Sequence, residues 1–263
     1  MPELPEVETV VRTLAPFVES HTILNAPPHL HLQHRLILSL TRAGKFLLFT
    51  LDHGFLAIHL RMTGKLLWNT PAGPYTRATF TLDNGTLHFD DVRRFGRITC
   101  SPTLPTDVAA LAPDPFQLTP AAFAAILRPR RTALKPLLLN QRLLAGLGNI
   151  YVDEALHRAR LHPMTPAHSL TPARARRLHA AILETLSEAI AAGGSSISDY
   201  VDAQGRAGTF QLLHRVYARA GQPCPACATS IVRITVAQRG THLCPRCQRL
   251  PSSSGGQLST IAK

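Results

Sequence analysis

Residues 36–60 read LILSLTRAGKFLLFTLDHGFLAIHL, a stretch in which short apolar runs alternate with turns. The runs are Leu36–Leu40, Phe46–Leu51 and Phe55–Leu60. Apolar runs of this length, bounded by turn residues, are typical of β-strands that face a core. Asp52-His53-Gly54 is a turn signal because glycine readily adopts left-handed backbone conformations. The stretch therefore predicts consecutive strands of one sheet.

Further strand patterns extend this sheet, and one helix precedes it. Asn84-Gly85 is a two-residue hairpin signal between two further runs. Near Pro5, the residues Val7, Val10, Val11 and Leu14 have the spacing of one helix face. The additional strand runs are Ala78–Leu82, Thr86–Phe89 and Arg97–Cys100. This order predicts an N-terminal β-sandwich with a packed N-terminal helix.

The pattern becomes helical after a proline-rich segment that follows Ser101. The predicted helices are Pro120–Leu127, Leu134–Leu139, Ile150–Ala159 and Pro172–Ala192, the last capped by Thr171 and ended by Gly193-Gly194. We therefore predict an α+β protein. Its expected divisions are an N-terminal domain at 2–112, a linker and first helix at 113–130, a helical domain at 131–215, a cysteine-rich element at 216–249 and a disordered tail at 250–263.

The charge balance is strongly basic. Lys and Arg total 28 against 16 Asp and Glu, which gives a net charge of +12. This excess fits a polyanionic partner, although a generally basic protein would show it too. Asp52 and His53 interrupt the most apolar stretch, and the N-terminus lacks a secretory signal. We therefore expect no membrane association and a cytoplasmic location.

Two close cysteine pairs near the C-terminus indicate a metal site. Cys224 and Cys227 form the first pair, and Cys244 and Cys247 form the second, with residues 228–243 between them. This is the spacing of a four-cysteine zinc ribbon on a β-hairpin, and it predicts one structural Zn²⁺ ion. The alternatives are two disulfides or reactive thiols, which a reducing compartment disfavours. The remaining cysteine, Cys100, ends an apolar run and is expected to be a small buried hydrophobe.

The chain start, Pro2-Glu3-Leu4-Pro5-Glu6-Val7-Glu8-Thr9, resembles that of the bacterial formamidopyrimidine-DNA glycosylases. Three further motifs follow in the family's order and extend the resemblance to Leu250. They are Asp91-Val92-Arg93-Arg94-Phe95-Gly96, the segment from Lys135-Pro136 to Gly146-Leu147-Gly148-Asn149-Ile150-Tyr151 with Glu154, and Ala237-Gln238-Arg239-Gly240 beside the cysteines. The second of these resembles the family's helix-two-turn-helix, and the third its zinc finger.

The resemblance implies a bifunctional DNA glycosylase and abasic-site lyase of base excision repair, acting on 8-oxoguanine and formamidopyrimidines. It assigns the nucleophile to the amine of Pro2, exposed by removal of Met1, and acid/base catalysis to Glu3. Lys45 would contact the phosphate beside the lesion and assist β-elimination. Arg239 would hold the phosphates flanking the extruded nucleotide and serve δ-elimination. Without the resemblance, Pro2 and Glu3 would simply start a helix, and Lys45 would be a solvated turn lysine.

The implied partner is double-stranded DNA that contains oxidised bases or abasic sites, bound by a monomer associated with the nucleoid. Met62, Arg93 and Phe95 match the family's three residues inserted into the duplex. Asn149 opens a helix after Gly146-Leu147-Gly148, where free N–H groups would bind phosphate. The predicted DNA-binding residues are His59, Met62, Tyr75, Arg93, Arg94, Phe95, Arg130, Arg131, Lys135 and Asn149.

Three positions depart from the family pattern and bear on DNA contacts and substrate preference. Tyr75 stands where a histidine is common, Arg61 replaces a small residue, and Val92 replaces proline. A mobile lesion-capping loop is expected at Ile197–Phe210. Two alternative functions stay open: an endonuclease VIII-like enzyme for oxidised pyrimidines, and a zinc-ribbon DNA-binding protein without catalysis. The Pro-Glu-Leu-Pro-Glu start favours the purine enzyme, and the retained catalytic residues disfavour the binding protein.

Overall fold

The first helix, α1 (Leu4–Val18), packs its apolar stripe onto the N-terminal sheet in the computed structural model, which describes residues 1–197 and 199–250. Val7, Val10 and Leu14 are buried together with residues of the sheet. Helical periodicity places these side chains on one face, so their burial joins helix and sheet in a single core.

The N-terminal sheet runs in the order β5-β7-β6-β1-β2-β3-β4-β8 within the described residues, and neighbouring strands are antiparallel. In this sheet β1 pairs with β2 only around Thr22 and Ile23, so the sheet divides there into two halves. Both halves and α1 contribute to one apolar core, as expected for a sandwich. The strands are β1 (Thr22–Asn25), β2 (Arg35–Ala43), β3 (Phe46–Leu51), β4 (Phe55–His59), β5 (Gly64–Trp68), β6 (Thr76–Leu82), β7 (Gly85–Asp91) and β8 (Arg97–Ser101).

The structure confirms every predicted strand of this domain and adds β1 and β5. In β1 only Ile23 is buried, so its four residues carry almost no apolar signal. The hairpin between β6 and β7 is also shifted by one residue from the predicted position. Leu82 pairs with Gly85, which leaves Asp83 and Asn84 as the loop.

Helices dominate the second half of the chain. Thr119 and Thr171 accept capping hydrogen bonds from the N–H groups of Ala122 and Arg174, at 3.1 and 3.3 Å. These helices form a second apolar core. The helices of this core are α3 (Pro120–Leu127), α4 (Leu134–Leu138), α5 (Asn149–Arg158) and α6 (Pro172–Ala191), followed by a hairpin of β9 (Val232–Val236) and β10 (Arg239–Leu243). The short α2 (Thr106–Ala109) instead packs Val108 against the sheet.

The predicted helices after residue 119 are confirmed to within a residue at either end, whereas α2 lies inside the predicted linker. Cys100 is half-buried against the first core rather than fully buried. The expected disordered tail, apart from Leu250, lies outside the described residues, as does part of the expected capping loop. Within residues 1–197 and 199–250, no helix is both long and apolar enough to cross a membrane.

The chain start connects the two cores. Leu4 begins α1, yet its side chain belongs to the second core. Its N–H group donates to the carbonyl of Gly146 at 3.0 Å. Gly146 has φ +90°, and a Cβ atom there would lie 2.6 Å from the Leu4 side chain. Residues 2–6 are therefore held between the sandwich and the helical domain.

The position of the β6–β7 hairpin predicts that Gly85→Ala is destabilising. A Cβ atom on Gly85 would lie 2.5 Å from Cζ2 of Trp68. We expect a loss of about 1–3 kcal/mol in the free energy of unfolding, typical of overpacking. Trp68 is the single tryptophan of the chain, so its fluorescence will report the displacement directly.

Gly73→Ala is the matched control, since nothing lies within 4 Å of its added Cβ. Equal denaturation midpoints and unchanged tryptophan emission for the two variants would contradict the observed packing of Gly85 on Trp68.

Candidate active site

A cleft of about 1020 Å³ opens where the sandwich, the helical domain and the β9–β10 hairpin meet. Its lining is strongly basic: Glu3 is the one acidic side chain there among the described residues. A smaller chamber of about 100 Å³ adjoins the chain start and is lined by Met1, Pro2 and Glu6. The basic side chains of the cleft are Lys45, Arg61, Arg94, Arg97 and Arg239.

The Glu3 carboxylate sits on the N-terminus of α5. It accepts hydrogen bonds from the N–H groups of Ile150 and Tyr151, at 3.1 and 3.4 Å. A Cβ atom on Gly148 would lie 2.2 Å from Glu3 Cδ, so glycine is required for this close approach. Burial raises the pKa of Glu3 to about 7, against the opposing effects of the Lys45 charge and the two N–H donors. Glu3 can therefore exchange a proton near neutral pH.

This contact corrects the expected phosphate site at the start of α5. The N–H groups of Ile150 and Tyr151 are not free, because Glu3 occupies them. The side chain of Asn149 donates to the carbonyl of Gly240 at 3.0 Å. The helix terminus thus serves an internal carboxylate, while Asn149 itself lines the cleft.

Glu6 organises the backbone beside Glu3, a role that the sequence analysis missed. Its buried carboxylate accepts the N–H groups of Glu3 and Ser195, each at 2.7 Å, and the Tyr151 hydroxyl. Burial raises the pKa of Glu6. The sequence does contain a signal for this role: Glu6 is the third residue of α1, and a glutamate there commonly accepts a hydrogen bond from the backbone N–H of the residue just before the helix.

Pro2 and Lys45 both lie at this junction. Pro2 is buried, and Met1, bonded to its nitrogen, lines both the cleft and the chamber. Removal of Met1 would therefore leave the Pro2 nitrogen facing both cavities. Lys45, just ahead of β3, is only 7% exposed, and burial lowers its pKa. It is therefore not a solvated turn lysine.

Arg239 stands at the tip of the β9–β10 hairpin and is exposed to the cleft. The turn residues Ala237 and Gln238 have φ +47° and +61°, as in the tight turns that suit two-residue hairpins. The hairpin is fixed to α5 because Asp153 accepts the His242 N–H at 2.8 Å. Arg239 thus projects from a well-anchored element.

Lys135, a predicted DNA-binding residue, does not reach the protein surface. Its side chain is fully buried and forms an ion pair with Asp153 at 2.6 Å. Its ammonium group also donates to the carbonyl of Gly240 at 3.1 Å. A side chain with no exposed surface cannot reach DNA, so Lys135 instead holds the zinc hairpin against the helices.

His59, another predicted DNA-binding residue, is largely buried at the end of β4. It is 8% exposed, and its ring packs edge-on against Phe46. Its Nδ1 accepts the N–H of Arg61 at 3.0 Å. Burial, reinforced by the Arg61 charge, lowers the pKa of His59 to about 3, so the ring is neutral at physiological pH. A DNA contact by the neutral ring stays a prediction.

Met62 and Phe95 project from loops into the cleft, 42% and 49% exposed. With this exposure, neither side chain is part of the hydrophobic core. Asp91 shapes the second loop by accepting the N–H groups of Arg93 and Gly96, at 3.2 and 2.7 Å. The Arg93 guanidinium lies over the Phe95 ring, 4.5 Å from its centroid.

The structure brings only some of the predicted DNA-binding residues together. Arg94, Met62, Phe95 and Asn149 line the cleft, but several others lie outside its described lining: Tyr75, Arg93, Arg130 and Arg131. Four polar residues of the lining are not among the predicted site residues: Arg97, Gln141, Tyr217 and Gln238. Arg97 could have been found from strand pairing, since it lies opposite His59 in the sheet.

The four predicted metal ligands converge. The Sγ atoms of Cys224, Cys227, Cys244 and Cys247 all lie within 4.8 Å of one another. Tetrahedral zinc with Zn–S bonds of about 2.3 Å needs sulfur atoms roughly 3.8 Å apart. The observed 3.4 Å between Cys227 and Cys244 and 4.0 Å between Cys224 and Cys247 fit this requirement. The cluster is a site for one structural zinc ion, in which four thiolates leave no position for substrate.

Three family models match the chain. The formamidopyrimidine-DNA glycosylase N-terminal domain matches residues 1–98, and the formamidopyrimidine-DNA glycosylase H2TH domain matches residues 111–201. The zinc finger found in FPG and IleRS matches residues 221–250. Together they account for both domains and for the cysteine cluster.

Relatives and solved structures agree with these matches. A formamidopyrimidine-DNA glycosylase of Solibacter usitatus is 51% identical, covering 95% of this chain and 100% of the relative. The crystal structure of the Thermus thermophilus MutM (Fpg) protein has a TM-score of 0.88 at 45% identity, covering 95% of this chain and 99% of that one. Lactococcus lactis Fpg in complex with abasic-site DNA has a TM-score of 0.85 at 36% identity, covering 94% and 99%.

The family predicted from the chain start and the later motifs is thereby confirmed. The chain belongs to the formamidopyrimidine-DNA glycosylase family and is a DNA glycosylase for oxidised bases with a structural zinc finger.

Proposed function

We propose that this protein excises 8-oxoguanine and formamidopyrimidines from double-stranded DNA and then cuts the strand at the abasic site, with the Pro2 amine as nucleophile. The observation that carries the proposal is the burial of Pro2 and Glu3 at the junction of two cavities. Solved relatives support the substrate class. Lactococcus lactis Fpg is bound to DNA containing Fapy-dG, and a MutM protein to DNA containing carbocyclic 8-oxo-G.

The chemistry begins once Met1 has been removed. The Pro2 nitrogen attacks C1′ of the damaged nucleotide as the bond from C1′ to the base breaks, and the base departs with a proton. The sugar ring then opens: the C1′–O4′ bond breaks, O4′ takes a proton from Glu3, and the C1′–N bond becomes a cationic iminium. This cation accepts the electrons released when the C2′ proton is lost, so the 3′ phosphate leaves in β-elimination. A second elimination then expels the 5′ phosphate.

The surrounding residues suit the remaining tasks. Lys45 and Arg239 would hold the phosphates next to the extruded nucleotide, with Arg61, Arg94 and Arg97 extending the basic surface. Met62 and Phe95 are exposed apolar side chains that can fill the gap left in the duplex. Arg93 would contact the orphan cytosine, which is the base left unpaired opposite the extruded nucleotide. Further DNA contacts are proposed at His59, Tyr75, Arg130, Arg131 and Asn149.

An enzyme for oxidised pyrimidines is the main alternative. Comparison of cleavage rates on duplexes containing 8-oxoguanine and thymine glycol distinguishes the two, and faster cleavage of thymine glycol would reject the purine assignment. We propose that the protein acts as a monomer in the cytoplasm, associated with the nucleoid, in keeping with its DNA substrate and thiol-rich zinc site.

The first prediction tests the nucleophile. An uncleaved Gly-Ser extension ahead of Pro2 converts its amine into an amide, which cannot form an iminium. We expect the extended protein to give no covalent adduct with abasic DNA under borohydride reduction, and no base release or strand cutting. The same extension placed at the C-terminus is the control. Equal adduct yields for the two proteins would contradict the mechanism.

The second prediction concerns pH. The protonated form of Glu3 is the proton donor, and it disappears as pH rises through its pKa of about 7. Single-turnover formation of the borohydride-trapped adduct, which requires the ring opening that Glu3 assists, should therefore decline above that pH, by about tenfold per pH unit once Glu3 is ionised. Glu3→Gln should lower the rate by about 100- to 10,000-fold and remove the decline on the alkaline side. An alkaline decline that persists in Glu3→Gln would assign it to another group.

The third prediction concerns zinc. Cys244 is fully buried within the cluster, and Cys244→Ser should release the ion, unfold the β9–β10 hairpin and displace Arg239. We expect less than one zinc ion per chain and a loss of binding to damaged duplex DNA. Cys100→Ser, which changes a cysteine outside the cluster, should leave both unchanged. Normal DNA binding by zinc-free Cys244→Ser would show that the finger is dispensable.

A further inference from the structure

One face of α5 carries a polar stripe that contacts the zinc finger. Asn149, Asp153 and His157 are spaced four residues apart, so their side chains lie along one side of the helix. Asn149 and Asp153 bond to the backbone of β10 at Gly240 and His242, at 3.0 and 2.8 Å. His157 continues the stripe to the cysteine cluster: its Nε2 lies 3.4 Å from Sγ of Cys224.

The surroundings of His157 fix which nitrogen carries the proton. The residue is 4% exposed, and its Nδ1 is buried without a hydrogen-bond partner among the described residues. A cysteine that binds zinc is a thiolate and offers only lone pairs, so a favourable contact requires the proton on Nε2. The opposite tautomer would bury an unused N–H group and set two lone pairs against each other. The ring therefore donates its Nε2–H to sulfur.

We propose that His157 is a positioning residue of the zinc site, which donates a hydrogen bond to the Cys224 thiolate and retards loss of the ion. Four thiolates around one Zn²⁺ leave a local charge of −2, and N–H donation to a buried sulfur stabilises that charge. The contact also ties the first cysteine pair to α5, whose N-terminus holds Glu3. The same helix, α5, therefore contacts the zinc finger that carries Arg239 and the chain start that carries Glu3.

A second contact, made by Glu154, also fixes the zinc finger to α5. Glu154, one helical position from Asp153, accepts the N–H groups of Arg215, Val216 and Tyr217 at 2.8 to 3.0 Å. The segment entering the finger is thus fixed to α5 independently of His157. Removal of His157 should therefore weaken ion retention while leaving the finger docked.

The test measures zinc release from the full-length protein into a colorimetric chelator, without reference to DNA. His157→Phe removes the donor and keeps the ring, and we expect release about tenfold faster or more, as for lost outer hydrogen bonds at other metal sites. His157→Gln can place an amide N–H near the same position and should restore slow release in part. In cobalt-substituted protein, His157→Phe should shift the thiolate-to-cobalt absorption bands.

His179→Phe is the matched control. His179 is also buried with an unpartnered ring nitrogen, but it packs on Phe123 and has no cysteine contact. Equal release rates for wild type, His157→Phe and His179→Phe would overturn the proposal, as would equal acceleration in both variants. If His157→Phe does not fold, His157→Met replaces it, and release from His157→Gln as fast as from His157→Met overturns the proposal. Wild-type cobalt bands indicating three thiolates would make His157 a direct ligand and also overturn it.

Discussion

The hydrogen bonds from the start of α5 to the Glu3 carboxylate are the contact on which the rest of the site depends. They place the first residues of the chain against a helix that is formed about halfway along it. Neither domain contains this contact alone, because Glu3 belongs to the sandwich and Ile150 to the helical domain. The glycines at 146 and 148 permit it by leaving room for Leu4 and Glu3. The geometry of the candidate site and the association of the two domains therefore depend on the same contact.

Burial of charge is the second constraint on this site. Glu3, Glu6 and Lys45 are all shielded from water, yet each faces a hydrogen-bond donor or an opposite charge. Shielding raises the pKa values of the two acids and lowers that of the lysine, so the pKa values of the acids and of the lysine move towards each other. A polyanion entering the cleft adds negative charge and favours the protonated lysine.

Features set by local spacing could be predicted from the sequence. The cysteine pairs, the capped helices and the apolar strand runs each depend on residues close together in the chain, and the structure contains all of them. The failures have a common physical origin. Glu3 takes its donors from Ile150 and Tyr151, and Lys135 bonds both Asp153, 18 positions away, and Gly240, more than a hundred positions away. Short-range patterns contain no information about such docking, so a buried lysine looked like a surface one.

The enclosure of Pro2 has a consequence for how the enzyme is made. A peptidase that trims the initiator residue needs an extended, accessible peptide bond, whereas Pro2 is buried in the finished fold. Ile150, which lines the chamber beside Pro2, leaves the ribosome long after the chain start has emerged. Under the proposed mechanism, trimming therefore belongs to the nascent chain, before the two domains close on Pro2.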